Sequence, residues 1–136
     1  MGVTSFVLHP RLKADAIFIA DWVLSRVLLM DDSRYSWLVL VPRHQGAVEI
    51  FDLDGSERGL LTEEIARAAR ALKDITGCAK INIGALGNLV PQLHVHIVAR
   101  NEGDAAWPGP VWGSGTAVRY DAAAREAMLA NLRARS

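Results

Sequence analysis

The sequence predicts an antiparallel α+β domain of five strands and two main helices, occupying residues 1–136 as one unit. Three observations lead there. Short apolar runs separated by turn residues recur early in the chain, two later stretches repeat apolar residues every three to four positions, and one segment, Val90 to Arg100, alternates polar and apolar side chains. The elements follow in the order β-β-β-α-β-β-α, which fits an antiparallel sheet with helices packed on it.

The runs AIFIADW (Ala16–Trp22) and RVLLMDD (Arg26–Asp32) are separated by only three residues, so they are expected to pair through a tight connection. WLVLVPR (Trp37–Arg43) is almost wholly apolar, as a central strand covered on both faces would be. The polar DDSRYS between the second and third runs reads as a turn. After a loop containing DLDGSERG, the stretch Leu61–Gly77 places Ile65, Ala69, Leu72 and Ile75 on one helical face. Thr62 is its expected N-cap, Glu63 and Glu64 suit the positive end of the helix dipole, and Gly77 stands where a helix stops. CAKINIGAL alternates again, and beyond the turn GNLVP comes the histidine segment, its expected hairpin partner or near neighbour. The tail YDAAAREAMLANLRARS reads as a second amphipathic helix using Ala124, Met128, Leu129 and Leu132.

Composition limits the functions available. An apolar fraction of 51% supports a packed core, and fifteen basic against fifteen acidic residues leave no net field to attract a nucleic acid polymer or an anionic membrane. The single cysteine, Cys78, has no partner for an internal disulfide and lies before an apolar run, as an inert core residue would. The opening MGVTSFVLHPRLKAD lacks a basic region followed by an apolar stretch, and no run reaches the ~18–20 residues of a membrane span. The expectation is a soluble, cytoplasmic protein.

The chemistry concentrates in VPQLHVHIVAR. On a strand, Gln92, His94, His96 and Val98 share one face while Leu93, Val95 and Ile97 share the other. Three readings fit two imidazoles on one face. They are ordinary polar residues satisfied by backbone or water, although burying two of them costs desolvation twice. Or they are two ligands of a zinc-like ion, with His9, His44, Asp31 or Asp32 as further ligands, none of them at a diagnostic spacing. Or one is a nucleophile, which needs a lone pair aimed at a substrate while its other ring nitrogen donates to an acceptor such as a backbone carbonyl.

The stretch GNLVPQLHVHIVAR resembles the histidine triad (HIT) motif, His-φ-His-φ-His-φ-φ with φ apolar, preceded by a turn and followed by an arginine. The resemblance extends to RVLLMDD, WLVLVPR, the helix after it, INIGALGN and WPGPVWG. Aligning Gly87-Asn88 with the family turn and Arg100 with its arginine puts Gln92 at the first histidine, His94 at the central nucleophile and His96 at the third. A register two residues later would instead make His94 first, His96 central and Val98 third. The resemblance implies a HIT-like fold whose sheet is extended across a homodimer, a nucleotide substrate, and no metal or other cofactor. It implies attack by His94 on an α-phosphate in a phosphoanhydride or phosphoramidate, a nucleotidyl-histidine intermediate, and hydrolysis to a nucleoside monophosphate. His96 would donate to a phosphate oxygen, with Gly87, Asn88 and Asn82 nearby as substrate contacts. Asp31, or Asp32 beside it, would accept from the ribose where relatives often hold asparagine, unless both simply form a turn. Gln92 departs from the family pattern. Its amide replaces much of a histidine's hydrogen bonding but cannot become a cation. Two alternatives follow: a nucleotide-binding protein weakened in catalysis by that change, or a metal-binding protein using His94 and His96.

Other residues carry weaker signals. Arg43 and His44 form a basic pair at a strand end, Trp107 and Trp112 flank a proline-rich loop that packs on the sheet or covers a base, and Arg100 is expected to pair structurally.

Overall fold

The computed structural model describes residues 6–135. The first five residues of the stretch read for a leader, and Ser136 at the end of the tail, lie outside it. The chain opens with a helix missed in the sequence, α1 (Pro10–Asp15). It is too short for periodicity to show, but His9 caps it by accepting from the Arg11 N–H, and Pro10 occupies the first turn, where no N–H is needed. Strands β1 (Ala16–Asp21) and β2 (Ser25–Met30) pair antiparallel across a three-residue connection, with an irregularity between Phe18 and Ala20. Strand β3 (Trp37–Pro42) is buried throughout. A single 3-10 turn (Ile50–Asp52) leads to α2 (Gly55–Thr76), then come β4 (Lys80–Gly84), β5 (Val95–Arg100) and α3 (Ala122–Arg133). All five strands form one antiparallel sheet in the order β1-β2-β3-β5-β4. The expected α+β architecture is thus observed, with β3 at its centre and β4 and β5 as direct neighbours.

Two boundaries and one helix-face position differ from expectation. Helix α2 begins at Gly55, and its N-cap is Asp54, which forms a reciprocal capping box with Glu57. Thr62 is therefore inside the helix, its hydroxyl donating back to the Arg58 carbonyl at 3.0 Å. Gly77 does end the helix, in the left-handed conformation (φ 64°) that glycine adopts without a Cβ penalty. On α3, Leu129 and Leu132 are buried and Met128 partly so, but Ala124 is exposed in the first turn. The histidine strand begins only at Val95, so His94 stands at its threshold.

The pleat sorts the sheet into two unlike faces. On one, Leu29, Leu38, Leu40 and Ile97 pack with Ala68, Leu72 and Leu129 from α2 and α3, and Cys78 is wholly buried among them as a core residue. On the other, Leu28, Val39, Val41 and Val98 meet Leu12 of α1, Tyr35 and Val111. Both long helices occupy the first face, so the second is covered by loops. Loops leave hollows where helices would interdigitate.

Two buried ionic devices hold these layers. Glu64 is 6% exposed and accepts the backbone N–H groups of Leu24 (2.9 Å) and Ser25 (3.0 Å), so it ties α2 to the start of β2 and does not serve the helix end. Arg100, 1% exposed, pairs with both carboxylate oxygens of Asp104 (2.8 and 2.9 Å) and donates to the Gly109 carbonyl at 2.8 Å. It thereby fixes the loop that follows β5, the structural pairing expected of it. The Arg100 guanidinium holds the Asp104 carboxyl at about 2, well below the usual range.

Glu64→Gln offers one acceptor where two buried N–H groups converge. Urea unfolding is expected to show a loss of about 2 kcal/mol with an unchanged m-value.

Candidate active site

A cavity of about 710 Å³ opens on the loop-covered face, and both His94 and His96 line it. The imidazoles lie edge to face with centroids 4.9 Å apart. Both residues are 6% exposed.

Their hydrogen bonds fix opposite tautomers. His94 Nδ1 lies 2.7 Å from the Gln92 carbonyl oxygen. A carbonyl only accepts, so Nδ1 carries a proton and, in the neutral ring, the lone pair sits on Nε2. His96 Nδ1 lies 3.0 Å from Trp37 Nε1, an indole nitrogen that only donates. His96 Nδ1 is therefore the acceptor and its proton sits on Nε2. The site thus pairs a nucleophilic nitrogen with a neutral donor. Burial, and secondarily the nearby His94, push His96 from 6.5 down to about 3, so it donates without being a cation.

Two indoles enclose the His96 ring, Trp37 at 5.6 Å and Trp112 at 5.5 Å between centroids. Trp112 reaches this position because Gly84, paired with His96 across β4 and β5, has no side chain: a Cβ there would lie 3.0 Å from the indole. The Arg34 guanidinium pins the same loop through the Ser114 carbonyl at 2.9 Å. Trp37 is a functional residue the sequence reading missed. Its signal was faint: it shares a face with Val39, which pairs with His96, but only once the strand register is known. Trp107 instead packs under the Arg100 guanidinium.

The other expected site residues fall in several places. Gly87 and Asn88 line the cavity, and Gly87 takes a left-handed turn (φ 74°) that favours glycine there. Asp31 also lines it, accepting from Arg119 Nη1 (2.8 Å) and the Tyr120 N–H (3.0 Å). Asp32 is 2% exposed, bound by Arg34 at 2.8 Å and by the Arg34 N–H two residues on, so the turn-forming reading describes it. Asn82 is not in the lining: its Oδ1 accepts from Arg100 at 2.8 Å, which makes it part of the loop anchor. The Gln92 side chain also turns elsewhere, accepting from the His9 N–H (2.8 Å) and donating to the Val7 carbonyl (2.9 Å). It is the Gln92 backbone that orients His94, a contact any side chain at position 92 permits.

The additional metal ligands considered from sequence are otherwise engaged. His9 caps α1, His44 pairs with Glu57 at 2.8 Å, and Asp31 and Asp32 hold arginines. Among the described residues no three His, Cys, Asp or Glu gather as a metal site. Arg43 donates to the Trp22 and Val23 carbonyls. Among the described residues no helix is long and apolar enough to cross a membrane.

Fold and site together define an antiparallel α+β protein with paired imidazoles, of opposite tautomer, at one strand. The HIT domain family model matches residues 11–103, and the chain belongs to that family. A histidine triad protein from Bradyrhizobium japonicum is 55% identical, with 96% of this chain and 97% of that one covered and a TM-score of 0.94. One from Sinorhizobium meliloti is 44% identical over 99% and 100% of the two chains (TM-score 0.96), and one from Marinobacter aquaeolei is 40% identical over 96% and 95% (TM-score 0.93). No curated protein matches the chain.

The tautomer and the depressed basicity of His96 are both measurable. Below pH 6.5 the unfolded chain takes up a proton at position 96 that the folded protein refuses until about pH 3. Stability therefore falls as pH drops through that window, by up to about 1.4 kcal/mol per unit, and this group contributes no slope above it. Urea unfolding between pH 7 and 5 should show a shallower fall in His96→Asn than in the wild type. Trp37→Phe keeps an aromatic ring but loses the N–H, and imidazole ¹⁵N NMR should show His96 shifting from the Nε2–H form to a tautomer mixture.

Proposed function

We propose that the protein is a nucleotide hydrolase or nucleotidyl transferase that cleaves a phosphoanhydride or phosphoramidate through a covalent intermediate on His94. The observation that carries this reading is the His94 Nδ1 contact to the Gln92 carbonyl at 2.7 Å, which in the neutral ring puts the proton on Nδ1 and the lone pair on Nε2, with the residue lining the cavity. In this scheme Nε2 attacks the α-phosphorus in line, the bond to the leaving group breaks, and that group departs with the electron pair. The positive charge developing on the His94 ring is stabilised through Nδ1–H by the same carbonyl. His96 Nε2–H donates to a non-bridging oxygen as its charge grows. Water then displaces His94 at phosphorus, giving a nucleoside monophosphate and restoring the free ring.

In this proposal Gln92 stands at the first position of the motif, and Gly87 and Asn88 flank the phosphate. Asp31 accepts from the ribose with lone pairs left over from its two existing bonds. A second copy of the chain extends the sheet at the edge strand β4, where Ile83 is 52% exposed.

Incubation with diadenosine polyphosphates and adenosine phosphoramidate, followed by chromatography for AMP, tests the activity. His94→Ala should lower kcat by about four orders of magnitude or more, since it removes the covalent route, and His96→Ala by about 10² to 10³. Turnover unchanged in His94→Ala would refute the assignment.

A further inference from the structure

We propose that the cavity holds a second anion subsite, formed by Arg119 and Arg11 around Asp31, and that its nucleotide carries a second phosphate on the ribose 2′ or 3′ oxygen. This rests on the nucleotide reading above and narrows its substrate class.

Three arginines and three aspartates line the cavity, yet they are not equally accessible. Asp32 and Arg34 satisfy one another, with side-chain exposures of 3% and 18%. Asp31, 15% exposed, has one oxygen bound by Arg119 and the other by the Tyr120 N–H. Arg119 is 62% exposed and spends a single N–H on that pair. Arg11 is 59% exposed and meets its nearest carboxylate, Asp15, only at 3.7 Å. Asp15, 47% exposed, is the one open acid among the six. Most guanidinium donors at this end of the cavity are therefore unspent among the described residues, while the central carboxylate is already neutralised.

The elements that carry the two arginines meet at Asp31. The Asp31 N–H donates to the Asp15 carbonyl at 3.0 Å, seating the end of α1 against Asp31. Arg11 lies four residues before Asp15, on the same side of that helix. Arg119 approaches Asp31 from the loop before α3.

The strand register places this pair at a ribose's distance from the imidazoles. His96 pairs with Val39, which pairs with Leu28 on β2. Asp31 is thus two strands across, ~10 Å, and three residues along, ~10 Å, from His96 at the backbone. Side chains reaching inward from both ends leave a gap spanned by a ribose 5′-phosphate. A ribose with free hydroxyls would use only the acceptors of Asp31 and Asp15, whereas the two exposed guanidiniums beside them match a phosphate in charge and in forked geometry. Asp31 then braces Arg119 for that phosphate while its remaining lone pairs accept from the ribose hydroxyl left free.

Calorimetric titration with adenosine 5′-monophosphate, adenosine 2′,5′-bisphosphate and adenosine 3′,5′-bisphosphate decides the matter. One of the two bisphosphates should bind wild type about ten-fold or more tightly than the monophosphate. That ratio should collapse to within about two-fold of one in Arg119→Ala, and fall partway in Arg11→Ala. Which bisphosphate wins identifies the 2′ or the 3′ position. A wild-type ratio near one with the monophosphate bound overturns the subsite and leaves the nucleotide reading standing. A ratio that survives in Arg119→Ala overturns it as well. Failure of all three ligands to bind removes both proposals together.

Discussion

The site depends on a pair of hydrogen bonds running in opposite directions at neighbouring imidazoles. His94 gives its Nδ1 proton to a backbone carbonyl, and His96 receives one at Nδ1 from an indole. Each partner has only one role open to it, so the proton positions follow from chemistry and not from a fine balance of energies. Burial adds the second condition by keeping His96 uncharged. A protonated His96 would carry a buried charge and would repel any positive charge arising on its neighbour. Everything around the pair preserves this arrangement: the pleat that separates polar from apolar residues, the two indoles, and the loop held over them.

That arrangement was partly visible in the sequence. The all-apolar Trp37–Pro42 run announced a central strand because a strand buried on both faces needs no polar alternation. The histidine spacing announced a polar face, although Gln92 and His94 precede the strand itself. Helix α2 was found by its face but misplaced at its start. Gly55, Gly59 and the charged first turn interrupt the apolar period, while the D-x-x-E capping box at Asp54 and Glu57 carried the true boundary. Glu64 looked like a dipole partner only because the helix start was set too late.

The partners of the site residues were not legible, for a plain reason. Asp31 and Arg119 lie 88 positions apart, and Trp37 and His96 lie 59 apart. Periodicity speaks only for neighbours within an element, so such pairs appear once the register is known. Asn82, expected among the substrate contacts, is presented by strand β4 to Arg100. Gln92 stands beside His94 through its main chain, and its side chain serves the amino-terminal segment.

The segment after β5 is fastened to Arg100 through Asp104 and Gly109, to Arg34 through Ser114, and to Ser33, Asp32 and Asp31 through Val118, Arg119 and Tyr120. None of these fastenings touches the ring nitrogens of His94. Cover and machinery are therefore separable parts. Residues between the fastenings, apart from Val111 in the core and Trp112 against the His96 ring, are free to vary in shape and polarity without moving a proton on either imidazole, and a chain built this way acquires new ligand preferences by editing its roof while its reactive floor stays as it is.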